Sequence, residues 1–384
     1  MLLGVNPLVM GVLYCFSRTT NIRMKKEFEY RWHLKDAVFK KDKGKVFSCF
    51  ACGGGSTMGY KLAGFNVVGM NEIDPKIANI YIINHKPKHS FIMPIQEMVL
   101  QKNLPKELFN LDILDGSPPC SSFSMSGTRE KDWGKERKFK EGQAVQILDT
   151  LFFDLIALAK RLRPKVVISE NVKGILAGNA REYVRKILQD FDNAGYQIKE
   201  FVLDSSQMEV PQKRERVFFI AVRKDLAKLL PQAFGLLFEN FPKLNMKWGR
   251  APILFDEIRT NGLNNASWTE HDQYIWDHRI YGDSKYADTL VRIENRNSNF
   301  NSKYIYSDKL VCTLASSEGS KMTLFDEPRR MNSIEMTLAQ SFPLDYDFGS
   351  DSCSKIKYLL GMSVPPLMTA HLAKRIYEEW QILF

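Results

Sequence analysis

The sequence predicts an α/β protein built on a doubly wound, mostly parallel sheet, with a smaller and irregular second domain. Three observations carry that prediction. From residue 44, short β-type runs alternate with longer helical ones, as when strands lie side by side under helices on both faces. The strand candidates are apolar almost throughout, as expected of strands covered on both sides. Near residue 224 this rhythm stops.

In order, the strand candidates are KVFSCF (45–50), FNVVGM (65–70), LDILDG (111–116), KVVISEN (165–171), IKEFVLD (198–204) and RVFFIAV (216–222). Helical periodicity falls between them at 57–64, 75–85, 144–162 and 181–195, and MTAHLAKRIYEEWQILF closes the chain as a last helix. Residues 225 to about 328 are rich in Asn, Asp, Tyr, Trp and Ser and show few periods, which fits an irregular domain valued for its surface. The expected division is an N-terminal extension (1–43), a catalytic and cofactor-binding domain (44–224), a recognition domain (225–345) and a C-terminal segment (346–384) that returns to the catalytic domain.

A chain of 384 residues can bury a full core. Its 54 Lys+Arg against 44 Asp+Glu leave a net charge of +10, which favours a polyanionic partner such as nucleic acid. No apolar run reaches membrane-spanning length, so no membrane partner is expected. The apolar start MLLGVNPLVMGVLYCF is followed, not preceded, by Arg18, Arg23, Lys25 and Lys26, the reverse of a secretory signal. Residues 1–23 are expected to be a loosely ordered extension upstream of a natural start at Met24. Six scattered cysteines suit a reducing, cytoplasmic setting. Cys49 and Cys52 form a C-x-x-C without the second pair that zinc needs, so no metal is expected.

FACGGGSTMG (50–59) follows the first strand and opens a helix; its glycines allow a sharp turn and close approach to a ligand, or a tight turn for packing alone. The next strand ends in NEIDP, so Glu72 lies about 20 positions on, where an acidic residue grips a ribose diol. Three further sites fall at strand ends on the same sheet edge, where ligands bind in open α/β sheets. These are Cys120 after LDILDGSPP, Glu170 in SENV, and the arginines of PQKRERV. A thiolate nucleophile (Cys120) suits attack on a polar heterocycle. Glu170, kept protonated by desolvation, would protonate or hydrogen-bond a ring nitrogen. Arg214 or Arg216 would bind a carbonyl oxygen. Taken singly, each is better explained as an inert cysteine, a helix cap or a surface arginine; together on one edge they are not. The charged stretch GTREKDWGKERKFKEG (127–142) reads as a solvated loop or a flap closing over phosphates.

These motifs, in this order, resemble those of the DNA (cytosine-5)-methyltransferases. FACGGGSTMG and NEIDP resemble the cofactor motifs, GSPPCSSFS the Pro-Cys motif, SENV the Glu-Asn-Val motif and VPQKRERV the Gln-x-Arg-x-Arg motif. RRMNSIEMTLAQSFP and GMSVPP complete the set; the match spans about 44–224 and 328–384. The resemblance implies a Rossmann-like methyltransferase sheet with a target-recognition domain, S-adenosylmethionine as cofactor and double-stranded DNA as partner. It implies that Cys120 adds to carbon-6 of a flipped-out cytosine while Glu170 meets ring nitrogen-3 and Arg214 the ring carbonyl, with Arg216 beside them. The implied cofactor residues are Phe50 (stacking on adenine), Glu72 (ribose), Gly54, Gly55, Gly59, Asn71, Ile73, Ile95, Leu151, Ser363 and Val364, with Pro119 shaping the base pocket. Ser124, Ser126 and Thr313 are implied DNA contacts; further groove candidates are Arg292, Asn295, Arg296, Asn297, Ser316 and Ser317.

Three departures stand out: Cys52 for a glycine, Pro94 for an aspartate at the adenine amino group, and Met362 for an asparagine. Each is expected to weaken or reshape cofactor binding. An RNA methyltransferase would show a Cys-Phe-Thr or a catalytic Thr-Cys signature, and neither occurs. A catalytically dead DNA-binding regulator has no reason to keep Cys120, Glu170 and Arg214, and a nicotinamide oxidoreductase no use for Pro-Pro-Cys. The resemblance is to bacterial or phage modification enzymes, expected to act as monomers; whether a cognate restriction endonuclease acts separately is not written in the sequence.

Overall fold

The computed structural model describes residues 26–119, 136–137, 146–147, 150–178, 180–232, 241–261, 266–295, 302–316 and 321–384. Its main sheet is built from β1 (Lys45–Cys49), β2 (Asn66–Glu72), β3 (His89–Ile92), β4 (Ile113–Gly116), β5 (Val166–Val172), β6 (Tyr196–Asp204) and β8 (Glu215–Arg223). A two-residue strand, β7 (Gln212–Lys213), leads into β8. The order across the sheet is β3-β2-β1-β4-β5-β8-β6. Neighbours run parallel from β3 through β5, and β8 runs antiparallel to both β5 and β6. From β1 the chain builds outward first to one side and then, from β4, to the other. The crevice at the carboxyl ends of β1 and β4 is the place such sheets offer a ligand.

Strand apolarity is explained by two covered faces. On β8, Phe218, Ile220 and Val222 enter one core, and Val217, Phe219 and Ala221 enter the other. The first core lies under α1 (Gly55–Leu62) and α10 (Pro366–Glu379). The second lies under α4 (Leu151–Leu162) and α5 (Ala180–Asn193). Around β2, α2 (Pro75–His85) starts at a proline, with Asp74 Oδ1 accepting from the Lys76 and Ile77 amides at 2.7 and 3.1 Å.

The six predicted strands form. Of the helix predicted over 144–162, the part from Leu151 to Leu162 is helical, with its apolar positions in the second core; Gln146–Ile147 pairs with Glu136–Arg137 as strand. The short β3 and α3 (Ile95–Leu100) carried too few residues to show a period. The closing helix starts at Pro366, earlier than expected, with proline in its first turn.

Beyond 224 the described elements are short: α6 (Glu270–Asp277), α7 (Tyr286–Glu294), β9 (Lys303–Ile305), β10 (Val311–Cys312), β11 (Met322–Leu324), α8 (Ser333–Ala339) and α9 (Cys353–Met362). Ile275, Tyr286, Leu290, Tyr304 and Tyr306 make a small core of their own. β10 docks in parallel on β7, which joins this region to the main sheet. At the other end, the Glu27 and Phe28 amides donate to the Glu209 carboxylate, and Trp32 Nε1 donates to Ser341 O at 3.2 Å. Among the described residues no helix is long and apolar enough to cross a membrane.

α1 and α10 meet through Gly59, whose missing Cβ would lie 2.4 Å from Pro366 O and 2.5 Å from Thr369 Cβ. Backbone cannot yield as a flexible side chain can. Gly59→Ala is expected to cost about 1–3 kcal/mol, read as a lowered urea midpoint at unchanged m.

Candidate active site

β1 hands over to α1 through a turn in which Phe50, Cys52 and Gly54 all have positive φ, at 52°, 47° and 77°. For Gly54 the reason is spatial as well: a Cβ would sit 2.1 Å from His85 Nε2. His85 is buried beneath the turn and shares a 3.0 Å hydrogen bond with the Tyr346 hydroxyl, which donates to Gly53 O. Cys52 lacks a glycine's freedom, and a left-handed residue of this kind costs roughly 1–2 kcal/mol. Its amide compensates by donating to Glu72 Oε2 at 2.9 Å.

Glu72, at the end of β2, also accepts from the amides of Ile73 and Asp74 on Oε1, at 2.9 and 3.1 Å. Burial pushes this carboxyl up, and the three backbone N–H groups oppose the shift. A carboxylate offers about four acceptor sites, so capacity remains for a ligand hydroxyl. Asn71 Nδ2 donates to the carbonyls of Phe91 and Met93 at 3.0 and 2.8 Å, holding the β3–α3 link against the turn.

At the end of β5, Glu170 Oε1 lies 2.9 Å from Arg216 Nε. Next to it, Asn171 Nδ2 donates to Pro118 O at 3.3 Å and so holds the proline turn to β5. Arg214 is placed differently. It is 2 % exposed, and its Nη1 donates to Leu314 O at 3.1 Å, while Nη2 donates to Gly361 O and Ser363 O at 2.8 and 3.2 Å. Burial and the nearby Arg216 cation push this guanidinium down, and the Glu170 charge opposes them. These donors bind backbone, so Arg216 is the arginine placed beside Glu170. The two were hard to separate by spacing, because the strand breaks at Arg214 and period-two alternation does not carry across it.

Sequence reading missed Asp115. It sits at the end of β4, 4 % exposed, and accepts from the Ser48 and Ser56 hydroxyls at 2.8 Å each and from Tyr60 at 3.1 Å. Burial pushes it up to about 6 against the pull of those hydroxyls, and the Glu170 charge adds to the rise. An aspartate inside an otherwise apolar strand was the available signal.

A cavity of 1140 Å³ joins these parts. That exceeds the roughly 300–1,000 Å³ usual for one small ligand. Its lining includes Phe50, Gly55, Asn71, Glu72, Ile73, Ile95, Pro119, Glu170, Arg214, Arg216, Thr313, Ser316, Met362, Ser363 and Val364. Gly54, Gly59 and Leu151 are not among the lining residues. The glycines meet His85 and α10, and Leu151 belongs to the core under α4. Pro94 starts α3, its carbonyl accepting from Glu97 and Met98. Thr313 donates to Lys213 O at 2.8 Å. Arg292 is engaged with His278 O and Asp283, and Asn295 is exposed with φ 50°. Cys120, Ser124, Ser126, Arg296, Asn297 and Ser317 lie outside the described residues, as does the stretch 127–142 apart from 136–137.

Residues 44–378 match the model of the C-5 cytosine-specific DNA methylase family. The chain belongs to that family. As a DNA cytosine-5 methyltransferase it is similar to Type II methyltransferase M.Sau96I of Staphylococcus aureus, at 32 % identity over 86 % of this chain and 75 % of that one. It is 26 % identical to M.NgoPII of Neisseria gonorrhoeae, over 86 % and 95 %. With M.FnuDI of Fusobacterium nucleatum it is 35 % identical, but over 47 % of this chain and about half, 48 %, of that relative. Among solved structures, Spodoptera frugiperda DNMT2 aligns with a TM-score of 0.59 at 19 % identity, over 87 % of this chain and 99 % of that one. That likeness concerns the methyltransferase fold.

Asp115 gives the site a pH-dependent stability. Its folded value, about 6, lies above the unfolded 3.8, so the folded state holds more protons between those values. Stability from this group is therefore present below about pH 4 and lost as pH rises through 6, by up to ~3 kcal/mol. Urea unfolding of wild type and Asp115→Asn across pH 4–7 should show the difference between them fall by that order as pH rises.

Proposed function

We propose that the chain transfers a methyl group from S-adenosylmethionine to carbon-5 of a cytosine flipped out of a specific double-stranded DNA sequence, through a covalent adduct with Cys120. The observation that carries this reading is the continuity of the cavity, which runs from the glycine turn and Glu72 to Pro119 and the Glu170–Arg216 pair. One end fits an adenosine, with an aromatic ring at Phe50, a buried carboxylate with spare acceptor capacity at Glu72, and apolar Ile73 and Ile95. Bound S-adenosylmethionine supplies an electrophilic methyl group on a sulfonium.

At the other end, Glu170 gives a proton or hydrogen bond to ring nitrogen-3, and Arg216 offers its guanidinium to the ring carbonyl. Both withdraw electrons from the ring, so the Cys120 thiolate can add to carbon-6. The electron pair displaced to carbon-5 bonds the methyl group. A water molecule then takes the carbon-5 proton, the thiolate leaves carbon-6, and ring nitrogen-3 returns its proton to Glu170, which restores the ring. Pro119 shapes the base pocket. Residues 225–345 read the DNA sequence, with Thr313 among their contacts, and Ser124 and Ser126, beside Cys120, contact the DNA from the catalytic domain. The net charge of +10 suits the phosphate backbone. The enzyme acts as a cytoplasmic monomer, and its likeness to Type II methyltransferases supports a modification role beside a separate endonuclease.

Expression in a host free of 5-methylcytosine, followed by genome-wide mapping, should show one short motif methylated throughout. Cys120→Ser should erase the signal while S-adenosylmethionine still binds by calorimetry; a methyl-free genome from the wild type would refute the proposal. The two arginines should separate. Arg214→Ala takes the guanidinium donor from Leu314 O and Gly361 O, while Ser363 O keeps its bond from Gln340, and should cost about 3 kcal/mol or more in urea unfolding. Arg216→Ala, which breaks the pair with Glu170, should lower kcat by a factor of about 100 or more.

A further inference from the structure

The reading above leaves Asp115 without a task. Three elements meet at its carboxylate. Ser48 is its register partner on β1, and Ser56 and Tyr60 stand one turn apart on one face of α1. Ser48 and Ser56 both reach Oδ2 at 2.8 Å, and Tyr60 reaches Oδ1 at 3.1 Å. All three hydroxyls donate, so the cluster is built around an acceptor-only group. An asparagine would set N–H donors against hydroxyls that already donate. A leucine would fill the space without desolvating a charge. Mere filling therefore does not account for the residue.

We propose that Asp115 is a positioning residue for methyl transfer: it locks the first turn of α1 to the end of β4 and so holds the cofactor turn and the proline turn in one register. This rests on the methyltransferase reading. On the α1 side, Ser56 itself lines the cavity, just after the turn that carries Phe50 and Cys52. On the β4 side, Ser117, Pro118 and Pro119 follow directly and also line it. Two consecutive prolines have fixed φ, so an orientation set at Asp115 passes along the turn with little slack. Asn171 holds the same turn from β5 through Pro118 O. Gly116 packs against Leu155 on the far side, where a Cβ would lie 2.8 Å from Leu155 Cδ2, so the strand end cannot shift that way. In a reaction joining two separately held groups, a misplacement of about 1 Å costs on the order of 100-fold in rate.

The test uses the full chain and two variants. Asp115→Asn removes the acceptor-only group. Tyr60→Phe deletes one hydroxyl that does not line the cavity and keeps the ring. S-adenosylmethionine affinity by calorimetry and steady-state kinetics on target DNA are measured for both. A positioning role lowers kcat at least 10-fold in Asp115→Asn and about 3-fold in Tyr60→Phe, with donor Kd within 3-fold of wild type. Wild-type kcat in either variant, or a donor Kd that rises as far as kcat falls, overturns the proposal. If Asp115→Asn does not fold, Tyr60→Phe decides alone. A wild type that methylates no cytosine refutes the methyltransferase reading instead, and so is told apart from failure of the Asp115 proposal.

Discussion

The buried guanidinium of Arg214 holds together parts of the chain that are otherwise far apart. Its Nη groups reach Leu314 O, 100 residues away in sequence, and Gly361 O and Ser363 O, 147 and 149 residues away. Around it, Gln212 Nε2 donates to Gln340 Oε1 at 2.6 Å, and Gln340 Nε2 donates to Ser363 O at 2.7 Å. Leu314 N in turn donates to Gln212 Oε1 at 3.1 Å. A cation kept from water by neutral carbonyls is tolerable only if several converge on it. That convergence fixes the segments supplying them. Gly361 completes the arrangement, since a Cβ there would lie 2.5 Å from Ser316 N. The far wall of the cavity, from Thr313 to Ser316 and from Gly361 to Val364, is thus a consequence of one arginine's solvation.

The sheet edge stabilises three carboxyl groups in three ways. Glu72 is met by backbone amides, Asp115 by hydroxyls and Glu170 by a guanidinium. Each environment suits a different use. Amide bonds leave a carboxylate fixed and still able to accept, as a hydroxyl-binding group must be. Hydroxyls from separate elements turn an acceptor into a joint. A cation at hydrogen-bond distance places opposite charges where a heterocycle could meet both at once. The differences arise from neighbours rather than from residue type.

The sheet was legible because both its faces are covered, so β-branched and aromatic residues run almost unbroken through β1, β5 and β8. The edge positions of Phe50, Glu72 and Glu170 were legible for a related reason, since a polar or turn residue ending such a run marks the carboxyl edge. β3 and α3 were not, being four and six residues long. Nor was the difference between Arg214 and Arg216, which depends on carbonyls about 100 to 149 residues away. Pairing over such distances leaves no local pattern in the chain. The partners of Asp115 were hidden in the same way, though its charge in an apolar run was plain.

The glycine turn shows how one motif answers to two constraints. Gly54 bends the chain over His85, a requirement of the turn itself. Gly55 and Gly59 are needed for another reason. A Cβ on Gly55 would lie 2.1 Å from Val364 O, and one on Gly59 would strike Pro366 O. Those partners lie in the last 21 residues of the chain, so the glycine spacing near one end records how closely the other end packs. Cys52 fits the same logic. Its position demands a left-handed backbone but not the absence of a side chain, and the bond to Glu72 offsets part of the conformational cost. A glycine lost where only φ is constrained can be compensated locally. One lost where backbone meets backbone would require two ends of the protein to move.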